Sequence, residues 1–380
     1  MKIGILTQPL STNYGGLLQA YALQSVLRKI GHQALTIDKS EKKVTIFVRI
    51  FSLIKRLLKV IFLGKQVIIR IWPTNKERNI IAQHTDRFIR ENILTTKKID
   101  RLSGKKKLHE YKFEAYIVGS DQVWRPSYSP CITNCFFDFL GDKRIGIKTI
   151  AYAASFGNDK WEFSKKETYQ CSILAKKLSS ISVREDSGIK LCQENLGVKS
   201  IQVLDPTMLL DKMEYIHLVE KDNVQKSNGN LMTYILDSSE EKKTIITRIE
   251  EKLNLISFTV MPKSKFVNVG KKHIQDCVFP PVTKWIKGFS DAKFVITDSF
   301  HGTVFSIIFN KPFIVIGNNK RGLSRFISLL RIFHLENRLI NSIGELNDNL
   351  MHKSIDFERV NDILKKEQEK STAFILNALK

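Results

Sequence analysis

The sequence predicts an α/β protein built from two Rossmann-like halves that face a cleft. Two observations lead to this fold class. Short apolar, β-branched runs alternate with segments of helical periodicity along the 380 residues, which is the pattern of mostly parallel sheets covered by helices. The length also corresponds to two domains of roughly 100–200 residues each.

The predicted elements alternate strand and helix, with one long insertion after the second strand. In the first half we expect strands at 2–7, 34–38, 115–118, 149–153, 180–183 and 201–204, and helices at 15–30 and about 164–178. In the second half we expect strands at 231–236, 256–260, 294–297 and 313–316, and helices at 240–253, around 285–289, at 304–309 and beyond 324. The strands are short apolar runs bounded by polar or turn residues, and the helices carry apolar residues at 3.6-residue spacing.

A polar segment separates the two series. Residues 212–230 are rich in polar side chains and end near Asn-Gly, which predicts a linker. We therefore place an N-terminal domain at 1–211 and a C-terminal domain with a helical tail at 212–380.

The insertion, at about residues 39–112, carries most of the excess positive charge. It holds 20 Lys and Arg against 6 Asp and Glu, which is +14 of the chain's net +23. Within it, residues 44–72 alternate apolar runs with six cations and contain no acid. This pattern is typical of a basic amphipathic helix on an anionic membrane surface, although a core helix with a solvated basic face would share it. No zinc-finger, RNP or helix-turn-helix signature accompanies the charge, so we expect no nucleic-acid partner.

The sequence favours a cytoplasmic location. The first residues have the pattern of a β-strand, not of a signal peptide. No uncharged apolar run approaches the roughly 18 residues of a membrane-spanning helix, and five scattered cysteines suit a reducing compartment. If the insertion is an amphipathic helix, we expect peripheral contact with the inner face of the cell membrane.

In open parallel sheets, ligands bind beyond the carboxyl ends of the strands. After the first strand come Asn13, Gly15 and Gly16 at the start of a helix, where exposed backbone N–H groups favour an anionic ligand. A plain tight turn would give the same pattern. After strand 180–183 comes Arg184, which is suited to bidentate binding of phosphate or carboxylate. The alternative is a surface pair between Arg184 and Glu185.

A possible sugar-binding group follows strand 115–118. Asp121, Gln122 and Trp124 place a carboxylate, an amide and an indole side by side, which together can bind the hydroxyls and the apolar face of a sugar. We therefore expect these three residues to bind a sugar. The alternative is that Ser120 or Asp121 caps a helix.

The strand–turn–helix junction at 298–303 gives the sharpest signal. Ser299, Gly302 and Thr303 surround His301 at a helix N-terminus, which favours an anion. His301 can act there as a general acid or base near neutral pH, although a lone histidine often has a structural role.

Two cations follow strand 313–316. Arg321 and Arg325 are further candidates for anion contacts, unless this loop is merely solvated. No metal site is expected, because no second Cys or His pair lies near Cys131 and Cys135. The sequence also contains no GxSxG motif and no Walker A loop.

Five short motifs stand in order along the chain. They are NYGGLLQAYAL from Asn13, VGSDQVW from Val118, SVRE from Ser182, LDPT from Leu204 and SFHG from Ser299. Together they resemble the polysaccharide pyruvyl transferase family over about residues 1–335.

The resemblance implies a GT-B-like fold and transfer of pyruvate from phosphoenolpyruvate onto two sugar hydroxyls as a ketal. It implies no cofactor beyond that co-substrate, and an acceptor that is a surface polysaccharide or its lipid-linked precursor. It carries the family's donor-binding residues onto Arg184 and His301, which we take as the catalytic residues. With this reaction, the residues at the helix N-termini become candidates for binding the donor, and Asp121, Gln122 and Trp124 candidates for binding the acceptor sugar. Some members have an Arg where this chain has Ser299, so Arg321 or Arg325 is the candidate to replace it.

Two other functions stay open from the sequence. A GT-B-like glycosyltransferase that uses a nucleotide-sugar would share the cleft and the helix N-termini. A non-catalytic member would instead bind other components of a glycan-assembly complex.

Overall fold

Two parallel β-sheets form the frame of the computed structural model, which describes residues 1–40, 46–63, 70–99, 108–318 and 322–380. Within these residues the strands of the first sheet are β1 (Lys2–Leu6), β2 (Gln33–Thr36), β3 (Ala115–Val118), β4 (Lys148–Ala154), β5 (Ser180–Val183) and β6 (Ile201–Gln202). Those of the second sheet are β7 (Leu231–Tyr234), β8 (Ser257–Phe258), β9 (Phe294–Thr297), β10 (Phe313–Ile316) and β11 (Leu339–Ile340).

Each sheet has one switch point, where the strand order reverses. The first sheet runs β2-β1-β3-β4-β5-β6 and reverses between β1 and β3. The second runs β11-β10-β9-β7-β8 and reverses between β7 and β9. Ligand crevices lie at such points, outside the carboxyl ends of the strands. The predicted fold class of two Rossmann-like α/β domains is confirmed.

The helices cover both sheets, and several begin at sequence-encoded caps. In the first half they are α1 (Tyr14–Lys29), α2 (Ile46–Leu63), α3 (Asn75–Asn92), α4 (Lys165–Ala175) and α5 (Ser187–Leu191). In the second half they are α6 (Lys212–Lys221), α7 (Glu240–Leu253), α8 (Phe266–Val269), α9 (Val282–Asp291), α10 (Phe300–Ile308), α11 (Ser324–Ile332), α12 (Asp348–His352) and α13 (Phe357–Leu379). Capping boxes start α3, α4 and α6, each with a Glu three residues after the N-cap.

The prediction of a linker at residues 212–230 is wrong for its first ten residues, because these form helix α6. Tyr215, Leu218 and Val219 lie at helical spacing and are buried in the core. Burial of this apolar face stabilises a helix that the polar composition of the segment concealed. The domain boundary at residue 212 stays a prediction.

The insertion contributes α2 and α3, so its predicted helical character is confirmed over those residues. None of the described helices combines the length and the apolarity needed to cross a bilayer.

The two halves are packed together through aromatic residues and through α13. Tyr14 of α1 lies 5.7 Å from Trp285 of α9, measured between ring centroids, and its hydroxyl donates to the carbonyl of Pro280 at 2.8 Å. From the C-terminal half, α13 returns to the first sheet, where Ser371 Oγ accepts from the backbone N–H of Leu204 at 3.0 Å. These contacts bring the carboxyl ends of the two sheets together, so that Arg184 after β5 and Phe300 after β9 touch each other.

Candidate active site

Arg184 follows β5 and is buried between the two halves. Its side chain is 1% exposed, and its Nη1 donates to Asp205 Oδ2 at 2.9 Å. The guanidinium also lies 4.2 Å from the ring centroid of Phe300 in α10. Glu185 Oε2 is 3.9 Å from Arg184 Nε and is equally buried, so the two residues do not form a surface pair. The remaining nitrogens of Arg184, Nε and Nη2, are buried without a hydrogen-bond partner among the described residues.

Asp205 is the carboxylate that joins the site together. Besides Arg184, its Oδ2 accepts from Ser120 Oγ at 3.1 Å and lies 3.7 Å from His301 Nε2. Its Oδ1 accepts from the backbone N–H and the hydroxyl of Thr207, at 3.1 and 2.7 Å. Burial by itself would raise the pKa of Asp205, but His301 and Arg184 outweigh that effect and hold this pKa well below its ordinary value. Asp205 is therefore a fixed negative charge at neutral pH.

His301 lies in the first turn of α10 and packs directly against the first turn of α1. A Cβ atom added at Gly15 would stand 2.1 Å from His301 Nδ1 and 2.3 Å from its Cγ. Only a residue without a side chain can occupy this position while the imidazole keeps its place. His301 Nε2 is buried and has no hydrogen-bond partner among the described residues. The structure thus brings together two residues that the sequence separates by almost 300 positions.

The hydroxyls near His301 are used to build the start of α10. Ser299 is the N-cap, and its Oγ accepts from the backbone N–H of Gly302 at 3.5 Å. Thr303 Oγ1 donates to the carbonyl of Ser299 at 3.2 Å and is fully buried. Gly302 packs on β9, where an added Cβ would stand 2.1 Å from Thr297 Oγ1. These contacts explain the SFHGT motif as a helix start that directs His301 toward Gly15 and Asp205.

Arg325, in the first turn of α11, supplies a second guanidinium to the site. It is buried and lies 5.6 Å from the ring centroid of Phe300, the same ring that Arg184 covers. Burial and the nearby charge of Arg184 lower the pKa of Arg325 to about 10, so it stays protonated at neutral pH. The site therefore has a second cation, Arg325, although Ser299 stands where some members of the similar family have an Arg. Arg321 lies outside the described residues.

The predicted acceptor group divides between the site and the core. Asp121 Oδ1 lies 3.9 Å from Arg184 Nη2, and Gln122 Oε1 accepts from Arg125 Nη1 at 3.1 Å. Trp124 is not brought to the cleft, which corrects the acceptor-binding prediction for this residue. It is fully buried, stacks on Phe136 with 4.9 Å between ring centroids, and donates its indole N–H to the Cys135 carbonyl at 3.2 Å.

The start of α1 supplies the predicted helix N-terminus. Asn13 is its N-cap and is exposed, and its side chain makes no capping hydrogen bond in the described structure. Gly16 lies beside it, and an added Cβ there would stand 3.2 Å from Asn13 Nδ2. The donor-binding role of Asn13, Gly15 and Gly16 stays a prediction.

A family model for polysaccharide pyruvyl transferases matches residues 13–320 of the sequence. The chain belongs to the polysaccharide pyruvyl transferase family. The resemblance carried by the five motifs is confirmed, and this family member is a transferase. No curated protein sequence matches the chain.

Solved structures show that this pyruvyl transferase family member has the GT-B fold. UDP-GlcNAc 2-epimerase from Neisseria meningitidis, solved with UDP-GlcNAc bound, is similar at 11% identity and a TM-score of 0.52, over 100% of this chain and 99% of that chain. UGT89C1 from Arabidopsis thaliana, complexed with UDP-L-rhamnose, is similar at 8% identity and a TM-score of 0.52, over 99% and 98%. At these identities the likeness concerns the fold alone.

Two acidic residues of this family member were not predicted from the sequence as part of the site. Asp205 belongs to the LDPT motif, and the Asp-Pro after a short strand was its only local signal. Glu185 belongs to the SVRE motif, and its Oε1 accepts from Ser155 Oγ and from the backbone N–H groups of Phe156 and Gly157, at 2.8 to 3.0 Å. Both carboxylates bind groups from distant strands, which no local pattern reveals.

Proposed function

We propose that this protein transfers pyruvate from phosphoenolpyruvate onto two hydroxyls of a sugar, as a ketal. The observation that supports the proposal best is the set of buried, unpartnered nitrogens beside one another: Nε and Nη2 of Arg184, and Nε2 of His301. A buried donor without an acceptor costs about 1–3 kcal/mol, and more when it is charged. A ligand that brings anionic oxygens would satisfy these groups, and phosphoenolpyruvate carries both a phosphate and a carboxylate.

The proposed chemistry divides between two functions. Arg184 and Arg325 both lie against the ring of Phe300. Together they bind the anionic groups of the donor and stabilise the phosphate as it leaves. His301 gives a proton to the methylene carbon while a sugar hydroxyl bonds to the adjacent carbon, and the imidazole takes up the proton that this hydroxyl loses. Phosphate then departs with the electrons of its C–O bond, and the second hydroxyl bonds to the same carbon and loses its proton. One phosphate and one ketal result, and no cofactor takes part.

Asp205 acts through its neighbours in this proposal. By accepting from Arg184 Nη1, it fixes the fork so that Nε and Nη2 remain directed to the donor. Its Oδ2 also lies 3.7 Å from His301 Nε2, so it holds a negative charge beside the imidazole.

The acceptor in this proposal is a surface polysaccharide or its lipid-linked precursor, and the enzyme works in the cytoplasm at the inner face of the cell membrane. Asp121 and Gln122 are the proposed acceptor contacts, since both lie near Arg184 or the β3 end of the cleft. The family membership and the basic insertion support this placement.

The competing donor is a nucleotide-sugar, because both similar structures were solved with one bound. Titration calorimetry with phosphoenolpyruvate and with a panel of nucleotide-sugars separates the two. We expect binding of phosphoenolpyruvate and its loss in Arg184→Ala. Binding of a nucleotide-sugar alone would replace the proposal with a glycosyltransferase.

Turnover tests the role of His301. Phosphate release with a sugar acceptor should fall about 10²–10⁴-fold in His301→Ala, the usual contribution of a general acid. His352→Ala, which removes an exposed histidine of α12, is the matched control and should keep full activity. Equal turnover of the two folded variants would remove His301 from the mechanism.

A further inference from the structure

Helix α2 presents a row of large apolar side chains to solvent. Phe47, Ile50, Phe51 and Ile54 stand at i, i+3, i+4 and i+7, so they share one face of the helix. Phe47 is 80% exposed and Phe51 is 74% exposed, and the two isoleucines are about half exposed. Contiguous exposed apolar residues of this size mark a surface that binds a partner.

The charge around this face indicates which partner fits. Residues 44–72 contain six Lys and Arg and no Asp or Glu. Lys55 on α2 is exposed next to the apolar row. An anionic bilayer offers negative headgroups and an apolar layer beneath them, so it satisfies both properties of the helix at once. A second copy of this chain would instead bring an equal excess of positive charge to the contact.

The described residues of the insertion that follow α2 are bonded to both halves of the protein. Thr95 forms an isolated parallel bridge with Thr36 of β2 in the first sheet. In α3, the carbonyl of Ile81 accepts from the backbone N–H of Phe279 at 3.0 Å, and Arg87 pairs with Asp222. Attachment of the insertion to a surface would therefore hold the whole enzyme there.

We propose that the α2 face, defined as Phe47, Ile50, Phe51 and Ile54, docks on an anionic lipid bilayer. The helix lies along the interface, with the α2 face among the upper acyl chains and Lys55 at the headgroups. The inference rests on the proposed placement of the enzyme at a membrane, but it does not depend on the identity of the donor.

Vesicle flotation of the full chain tests the proposal. Vesicles of equal parts phosphatidylcholine and phosphatidylglycerol should carry the protein, and vesicles of phosphatidylcholine alone should carry much less. The Debye length is about 8 Å at physiological ionic strength and becomes shorter as salt is added. Added salt should therefore weaken the attraction to anionic headgroups, while burial of the α2 face should keep some protein bound. The double variant Phe47→Ser/Phe51→Ser should lose about a hundredfold or more in partitioning, because each phenylalanine contributes at least about tenfold when buried.

The matched control is Ile145→Ser/Ile256→Ser, which removes two exposed apolar side chains elsewhere on the surface. It should float like the wild type. Equal binding of the two double variants, or no binding to anionic vesicles, would overturn the proposal. Sedimentation velocity tests the alternative of a second copy. A wild-type dimer that does not bind vesicles, and that dissociates in Phe47→Ser/Phe51→Ser, would overturn the proposal in favour of that alternative. Donor calorimetry in the same variant should be unchanged, so failure here is distinguishable from failure of the proposed reaction.

Discussion

Gly15→Ala is the substitution for which the structure predicts the clearest separation of activity from stability. The added Cβ would stand 2.1 Å from His301 Nδ1 and 2.8 Å from His301 Cβ. Atoms at such distances cannot coexist, so the imidazole must move by about 1 Å or the start of α1 must shift. A displacement of that size at a reacting group can cost about 10²-fold in rate.

The effect of Gly15→Ala on stability should be small by comparison. Alanine in a helix is favoured over glycine by about 1 kcal/mol, while overpacking a buried site costs about 1–3 kcal/mol. The two contributions oppose each other, so we expect the free energy of unfolding to fall by no more than about 2 kcal/mol. Urea unfolding and the rate of phosphate release, measured on the same preparation, provide both numbers.

Gly344→Ala is the matched control for this prediction. It makes the same change at an exposed glycine outside the candidate site, where the added Cβ meets only Ser342 Oγ at 3.7 Å, an ordinary van der Waals distance. Turnover of this variant should stay close to that of the wild type. If Gly15→Ala and Gly344→Ala turn over equally fast, the packing of His301 on α1 does not control the reaction.

The other predictions concern one residue each. Arg184→Lys keeps the charge but loses the planar fork, so calorimetry should show weaker donor binding; wild-type affinity would contradict the assigned role. Trp124→Phe should lower stability by about 1 kcal/mol, through loss of the indole hydrogen bond, and leave turnover unchanged; a large loss of turnover would return Trp124 to the site. The two hydrogen bonds from Arg70 lower the pKa of Glu77 to about 2. Because an unfolded Glu has a pKa of about 4.3, this pair stabilises the fold above that pH and the contribution is lost as the pH falls toward 2, so Glu77→Gln should flatten the acid limb of the stability profile.

The fold could be predicted where both faces of a strand are covered. Strands β3, β5, β9 and β10 have the predicted bounds, because central parallel strands are continuous apolar runs that stop at polar residues. Helix α7 was also predicted to the residue. Helix α6 was missed because only three of its side chains are buried and most of the others are polar. Such a segment differs from a linker only in its tertiary contacts, which the sequence does not show. The two-residue strand β11 is too short to have a pattern.

The position of the site in the fold could be predicted from the sequence, but the hydrogen bonds and ion pairs among its residues could not. Arg184, His301 and Arg325 follow strands of two parallel sheets, so the topology alone brings them to one cleft. The role of Asp205 depends on partners 21 and 85 residues away along the chain. The burial of Trp124 could not be read from its neighbours either, because an indole suits a sugar site and a core equally well.

The return of α13 to the first sheet has a consequence for how the protein is made. The backbone N–H of Leu204 and the carbonyl of Met208 bind side chains that follow 167 and 160 residues later, on α13. Chains are synthesised at about 5–20 residues per second, and domains generally fold in the order in which they emerge. The first sheet therefore waits about ten seconds or longer on the ribosome with one flank open, until α13 emerges and closes it.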